Sequence, residues 1–140
     1  MEGDAETALF FVDGANWAGT VVAGNIALTN LTDAAAAVTA TFGTLDLAAD
    51  FPLRVWKTGG VVATNDVLKV DSFAGTEKID LVEMDEALVL GDKVVIGKVK
   101  STLVLPKVGR RFVVKAGEPD EDGYCDLMAQ YPHGLQVIVR

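Results

Sequence analysis

The sequence holds one cysteine, Cys125, one histidine, His133, and four prolines among 140 residues. A single cysteine excludes an intrachain disulfide framework, so stability has to come from a hydrophobic core. A chain of this length suffices for that, since it can bury about two thirds of its unfolded surface. Long apolar runs are missing as well. No uninterrupted stretch reaches the roughly 18 residues that a membrane-spanning helix needs. Bases are scarce: 12 Lys and Arg stand against 20 Asp and Glu, for a formal net charge of −8. An acidic surface repels a polyanion, which argues against a nucleic-acid partner. The first residues, MEGDAETALFF, carry acids where a secretory signal carries bases, and this predicts folding in the cytoplasm.

What is present is apolar and punctuated. Half of the residues are hydrophobic and the mean hydropathy is +0.31, too apolar for a disordered chain. Length and composition predict one domain over residues 1–140. Most apolar runs are four to eight residues long, rich in valine and bounded by Gly, Asn, Asp or Pro, which is strand punctuation. Strands are expected near 8–12, 19–29, 36–47, 51–57, 61–72, 78–84, 87–96, 98–105, 110–116 and 134–140. In Phe51-Pro52-Leu53-Arg54-Val55-Trp56-Lys57, strand geometry puts Phe51, Leu53 and Val55 on one face and Arg54 and Trp56 on the other. One helix candidate exists within residues 32–40, where Thr32 and Asp33 precede four alanines, although the alternation that follows favours a hairpin. The fold class expected is all-β, a single antiparallel β-sandwich or jelly roll with at most one short helix.

Few residues suggest chemistry. A thiol nucleophile needs a base within reach, and His133 lies in Tyr131-Pro132-His133-Gly134, a turn composition. No carboxylate pair is singled out for acid–base work, so no enzymatic activity and no cofactor are expected. The run from Glu118 to Asp126 follows the calcium-loop spacing in part, making Asp120, Asp122 and Asp126 weak calcium candidates. Its twelfth position is Ala129 instead of a bidentate Glu, and an ordinary acidic turn accounts for it better. Lys57-Thr58-Gly59-Gly60 lacks the order of a phosphate-binding loop and reads as a hairpin turn. Trp56 lies opposite the apolar face of its strand beside Arg54. It is either an interface anchor or part of a second core layer. With Trp17, Arg110 and Arg111, these residues are the candidate interface set. Charge is also segregated. Residues 1–53 carry Glu2, Asp4, Glu6, Asp13, Asp33, Asp46 and Asp50 and no base, whereas residues 93–115 carry Lys93, Lys98, Lys100, Lys107, Arg110, Arg111 and Lys115 and no acid. Such a dipolar surface suits pairing between neighbouring copies.

The segment from Gly19 to Phe42, a strand ending in Thr-Asn, a turn, and an Ala/Thr/Val strand returning, resembles small β-sandwich domains of tailed-phage virions. Asp50-Phe51-Pro52-Leu53-Arg54-Val55-Trp56 is similar to the next strand of such domains. The resemblance spans about 40 residues and transfers no functional residue. It is shared with immunoglobulin-like and carbohydrate-binding sandwiches. It implies a head decoration (cement) protein, made in the host cytoplasm and then fixed on the outer surface of the virion. Its partners would be itself, as a homo-oligomer and possibly a trimer, and a major capsid protein, with no nucleic acid and no membrane. A tail or fibre-base component fits the same pattern, and a sugar- or lipid-binding sandwich is the alternative from another class.

Overall fold

The computed structural model describes residues 9–11, 14–24, 26–28, 36–109 and 112–131. Twelve strands are present among them: β1 (Leu9–Phe11), β2 (Ala15–Val22), β3 (Ile26–Leu28), β4 (Thr39–Leu47), β5 (Phe51–Thr58), β6 (Val61–Asn65), β7 (Val67–Gly75), β8 (Lys78–Glu83), β9 (Lys93–Val99), β10 (Lys107–Val108), β11 (Val113–Pro119) and β12 (Cys125–Gln130). No helix occurs among the described residues. Residues 32–35 of the helix candidate lie outside them, and Thr39 already opens β4. The predicted strand at 134–140 and His133 also lie outside.

The antiparallel part of the expected fold is corrected, because the sheets are mixed. The six-stranded sheet runs β11-β12-β9-β7-β4-β2 and the four-stranded sheet β10-β8-β5-β6, with β1 and β3 as a separate pair. The pairs β2/β4, β4/β7 and β7/β9 are parallel, as are β5/β8 and β8/β10. Parallel neighbours require a crossover, which in most proteins is a helix. Here the crossovers between β4 and β7, β7 and β9, β5 and β8, and β8 and β10 run through strands of the other sheet, whereas β3, between β2 and β4, pairs with β1. The chain passes from β4 to β5, returns through β6 to β7, and continues to β8, β9 and β10, stepping one place along each sheet as it goes. The hairpin β11–β12 then adds two antiparallel strands on β9.

Local chemistry explains the reversals. Gly59 and Gly60, at φ 62° and 79°, form the two-residue turn between β5 and β6, a conformation that requires positive φ at both positions. Predicted strand 61–72 is broken at Asp66, and its halves β6 and β7 lie in different sheets. Predicted strands 87–96 and 98–105 are corrected to one strand, β9, passing straight through Gly97, with irregular chain on either side. β12 was not among the expected strands.

The core lies between the two larger sheets. Leu45 and Leu47 of β4, Leu68 and Val70 of β7, and Val94, Ile96 and Val99 of β9 join Leu53 and Val55 of β5 and Ile79 of β8 in one buried cluster. Phe42 of β4 meets Phe51 of β5 edge to face, with centroids 6.4 Å apart at 74°. The expected inward set Phe51, Leu53 and Val55 is buried.

Gly97 fixes how closely β7 and β9 approach. Its φ is +153°, and a Cβ there would sit 1.8 Å from the Leu68 carbonyl oxygen. Gly97→Ala should therefore separate β7 from β9 and lower stability by at least about 2 kcal/mol, read as a lower urea midpoint. An unchanged midpoint would show that the strands can part without cost.

Candidate functional site

The Arg54–Trp56 face is built around a buried carboxylate. Asp66, fully buried at the junction of β6 and β7, accepts hydrogen bonds at Oδ2 from Arg54 Nε (2.7 Å) and the Arg54 backbone N–H (3.0 Å). Its Oδ1 accepts from Arg54 Nη2 (2.9 Å) and the Val38 N–H (2.8 Å). The guanidinium is thus held by a two-point fork, the geometry planar Arg provides and Lys does not. It lies 5.0 Å from the centroid of the Trp56 ring. Trp56 is only 8% exposed. Of the two readings the sequence leaves open, an interface anchor or part of a second core layer, this burial under the Arg54 side chain fits the second. Trp17, at 41%, does stand in solvent, and Arg110 and Arg111 lie outside the described residues.

A second buried pair lies at the far end of β5. After the bulge between Trp56 and Lys57, the Lys57 side chain, 5% exposed, follows Val55 onto the core side and donates to Asp92 Oδ2 at 2.7 Å. The same oxygen accepts the Val89 N–H at 2.8 Å. Burial alone would raise the Asp92 carboxyl, but the Lys57 hydrogen bond, the Val89 N–H and the Lys57 charge outweigh it and hold its pKa below the ordinary 3.8.

This pair anchors the loop between β8 and β9. Glu86 accepts the Gly59 and Gly60 N–H groups at 2.8 and 3.0 Å, tying the loop to the β5–β6 turn. Those two N–H bonds lower the Glu86 pKa. On a loop fixed in this way, Met84, Val89 and Leu90 stand 41–54% exposed. The loop after β9, at the opposite end of that strand, also turns apolar groups outward: Leu103 is 94% exposed and Val104 46%. Single exposed apolar side chains are ordinary, but groups of them on hydrogen-bonded loops mark interaction surfaces.

The acidic hairpin from Glu118 to Asp126 does not gather its carboxylates around a cation. Asp120 Oδ1 accepts the Asp122 and Tyr124 N–H groups, and its Oδ2 accepts from Lys98 Nζ at 3.0 Å. The Tyr124 N–H and then Lys98 depress its pKa. Asp126 lies 3.8 Å from the same ammonium. Lys98 thus neutralises Asp120 and approaches Asp126, and no group of three metal-ligating side chains occurs among the described residues. Beside this hairpin, the Tyr124 hydroxyl donates to Asp71 at 2.9 Å, which with burial raises the phenol pKa. Lys69 and Lys100 lie 4.6 and 5.0 Å from its ring centroid. Asn16, Thr41, Lys69, Asp71 and Tyr124 line a shallow cleft of about 300 Å³. Cys125 is buried and free.

Compared with family models, curated proteins and solved structures, the chain matches none.

Two outcomes follow from the buried groups. Trp56→Ala should lower stability by about 3 kcal/mol in denaturant unfolding, as truncation of a packed indole does, and a loss below about 0.5 kcal/mol would return Trp56 to the surface. Because the Asp92 pKa is depressed on folding, its contribution to stability is present above the ordinary value of 3.8 and is lost as pH falls through the lower folded value. Asp92→Asn should flatten the acid limb of a stability–pH profile below about pH 4. Equal limbs for the two proteins would show that Asp92 is not depressed.

Proposed function

We propose that this chain is a non-enzymatic structural protein that decorates the outer capsid surface of a tailed virus and associates with copies of itself. The observation that carries this reading is the pair of end loops. Ahead of β9 the loop is pinned by the Glu86 and Asp92 hydrogen bonds, and just after β9 the Lys100 and Ser101 N–H groups bond the Val70 and Asp71 carbonyls, while Met84, Val89, Leu90, Leu103 and Val104 stand partly or almost wholly in water. Preorganised loops lose little conformational entropy on docking, so their apolar area converts efficiently into affinity. A two-layer sandwich built on these mixed sheets would give such loops a firm base. Work on a shell would proceed by mass action, since a protein that binds only the assembled lattice stabilises it.

A second reading, a ligand-binding module, is favoured by the cleft of about 300 Å³ lined by Asn16, Thr41, Lys69, Asp71 and Tyr124. It ranks lower because the Tyr124 ring, the aromatic surface on which a sugar would stack, already has the Lys69 and Lys100 ammonium groups against it.

The test mixes purified protein with shells lacking it, across a salt series, and counts bound copies. Saturable binding is expected. With a Debye length of about 8 Å at physiological salt, added salt should slow attachment more than it speeds release, given the net charge of −8 and the basic stretch 93–115. Absence of saturable binding to any shell, with binding of a small sugar by the free protein, would move the assignment to the second reading.

A further inference from the structure

Leu103 and a cleft beside it lie at the same end of the molecule. Leu103 is 94% exposed, on a loop whose neighbours Val104, Leu105 and Pro106 turn back toward the body. The cleft holds about 220 Å³ and has an apolar floor of Leu47, Phe73, Ala74, Val104, Leu105 and Pro106. An apolar cavity of about 150 Å³ already accepts a benzene-sized group, so this one has room for a leucine side chain. Leu103 does not fill the cleft of its own chain, since it is almost wholly in solvent.

We propose that Leu103 of one copy inserts into this cleft on a second copy, and that the second copy's Leu103 returns the contact about a two-fold axis. The inference deepens the self-association part of the proposed function and rests on it. Knob and cleft share one short loop, so a two-fold arrangement brings both insertions into one interface, which is the self-complementary condition for a closed dimer. The rim charges agree with this. Glu77 and Lys107 both line the cleft, and neither joins an ion pair among the described residues. One free acid and one free base on the same rim form a self-complementary pattern: across a two-fold axis, each can meet its opposite on the other copy.

Two inserted leucines fall short of a stable dimer, which buries about 1,600 Å² in total. Association in free solution is therefore weak, and it strengthens where copies sit side by side on a surface and meet at effective concentrations on the order of millimolar.

The experiment is sedimentation of the full chain up to about 1 mM, the range of that effective concentration. The wild-type protein is expected to show concentration-dependent dimers. Leu103→Asp should weaken them by at least about 10-fold, from loss of a buried leucine in each direction. Its thermal unfolding should match wild type, because Leu103 touches little of its own chain. Ala74→Leu, which fills the cleft instead of removing the knob, should weaken association similarly. A wild type that stays monomeric to about 1 mM, or a Leu103→Asp variant that associates as tightly as wild type, overturns the proposal. Shell binding is measured in parallel. Wild type that dimerises through Leu103 yet binds no shell would retire only the virion reading. Saturable shell binding together with self-association that ignores Leu103 would retire only this inference.

Discussion

The buried Asp66 carboxylate is the point on which the winding of this chain turns. It lies where β6 ends and β7 begins, the place at which the chain leaves the four-stranded sheet and re-enters the six-stranded one. There it holds Arg54 of β5 and the Val38 N–H just ahead of β4, while its own N–H donates to the Arg54 carbonyl and the Val67 N–H donates to the Val38 carbonyl. One side chain thereby fixes strands of both sheets relative to each other. Desolvating a charge costs several kcal/mol, and only a partner with good geometry and further hydrogen bonds offsets this. The Arg54 fork supplies the partner and two backbone N–H groups supply the rest, so both carboxylate oxygens are satisfied. Apolar residues of equal volume could stabilise the same space, but they would not specify which strands meet there. We take the specification of register to be the main contribution of this pair.

That specification matters because parallel strands joined by strands, without helices, have few other devices to set their order. Hairpin turns fix register locally, and among the described residues only the β5–β6 and β11–β12 connections are of that kind. Neighbours such as β4 and β7, β7 and β9, or β5 and β8 come from chain segments separated by an excursion through the other sheet. Their approach is limited by contacts such as Gly97 against Leu68 and Gly43 against Ala18, where no Cβ fits. The second buried pair, Lys57 with Asp92, plays the corresponding part at the opposite end of β5, tying that strand to the start of β9.

Much of this could be read in the sequence, and the parts that could not have physical reasons. Alternation in Phe51-Leu53-Val55 correctly named an inward face, and Gly59-Gly60 correctly named a turn. Strand direction was not legible, because a period of two residues is the same in parallel and antiparallel sheets. β12 was hidden by its acidic approach, although Cys125, Leu127 and Ala129 alternate inward with Asp126, Met128 and Gln130. The Leu103-Val104-Leu105 run carries strand-like residues, yet Leu103 stands in solvent and Val104 half so, since nothing in the sequence tells an exposed apolar loop from a buried strand. The sequence left Trp56 open between an interface anchor and a second core layer for a related reason: the group covering it, Arg54, is positioned by Asp66, twelve residues away on another segment. Lys57 was read only as part of a turn, although its place in phase with Phe51, Leu53 and Val55 is the signal that would have pointed to a buried partner.

The same contrast separates the framework from the surfaces. The charges with structural duties, at Asp66, Arg54, Lys57, Asp92, Asp120 and Lys98, are paired within the chain. Solvent screens exposed pairs, so the Lys98–Asp120 contact orders its hairpin without adding much stability. By contrast, the apolar side chains of the end loops are only partly covered by the fold that holds them, and Leu103 hardly at all. Met84, Val89, Leu90, Leu103 and Val104 cost hydration free energy in the isolated chain, and the hydrogen bonds of Glu86 and Asp92 keep the first of these loops from folding back over its own apolar groups. Buried ion pairs order the framework while these side chains stay partly exposed outside it, so the order of the fold and the apolar character of its end loops are set by separate groups of residues.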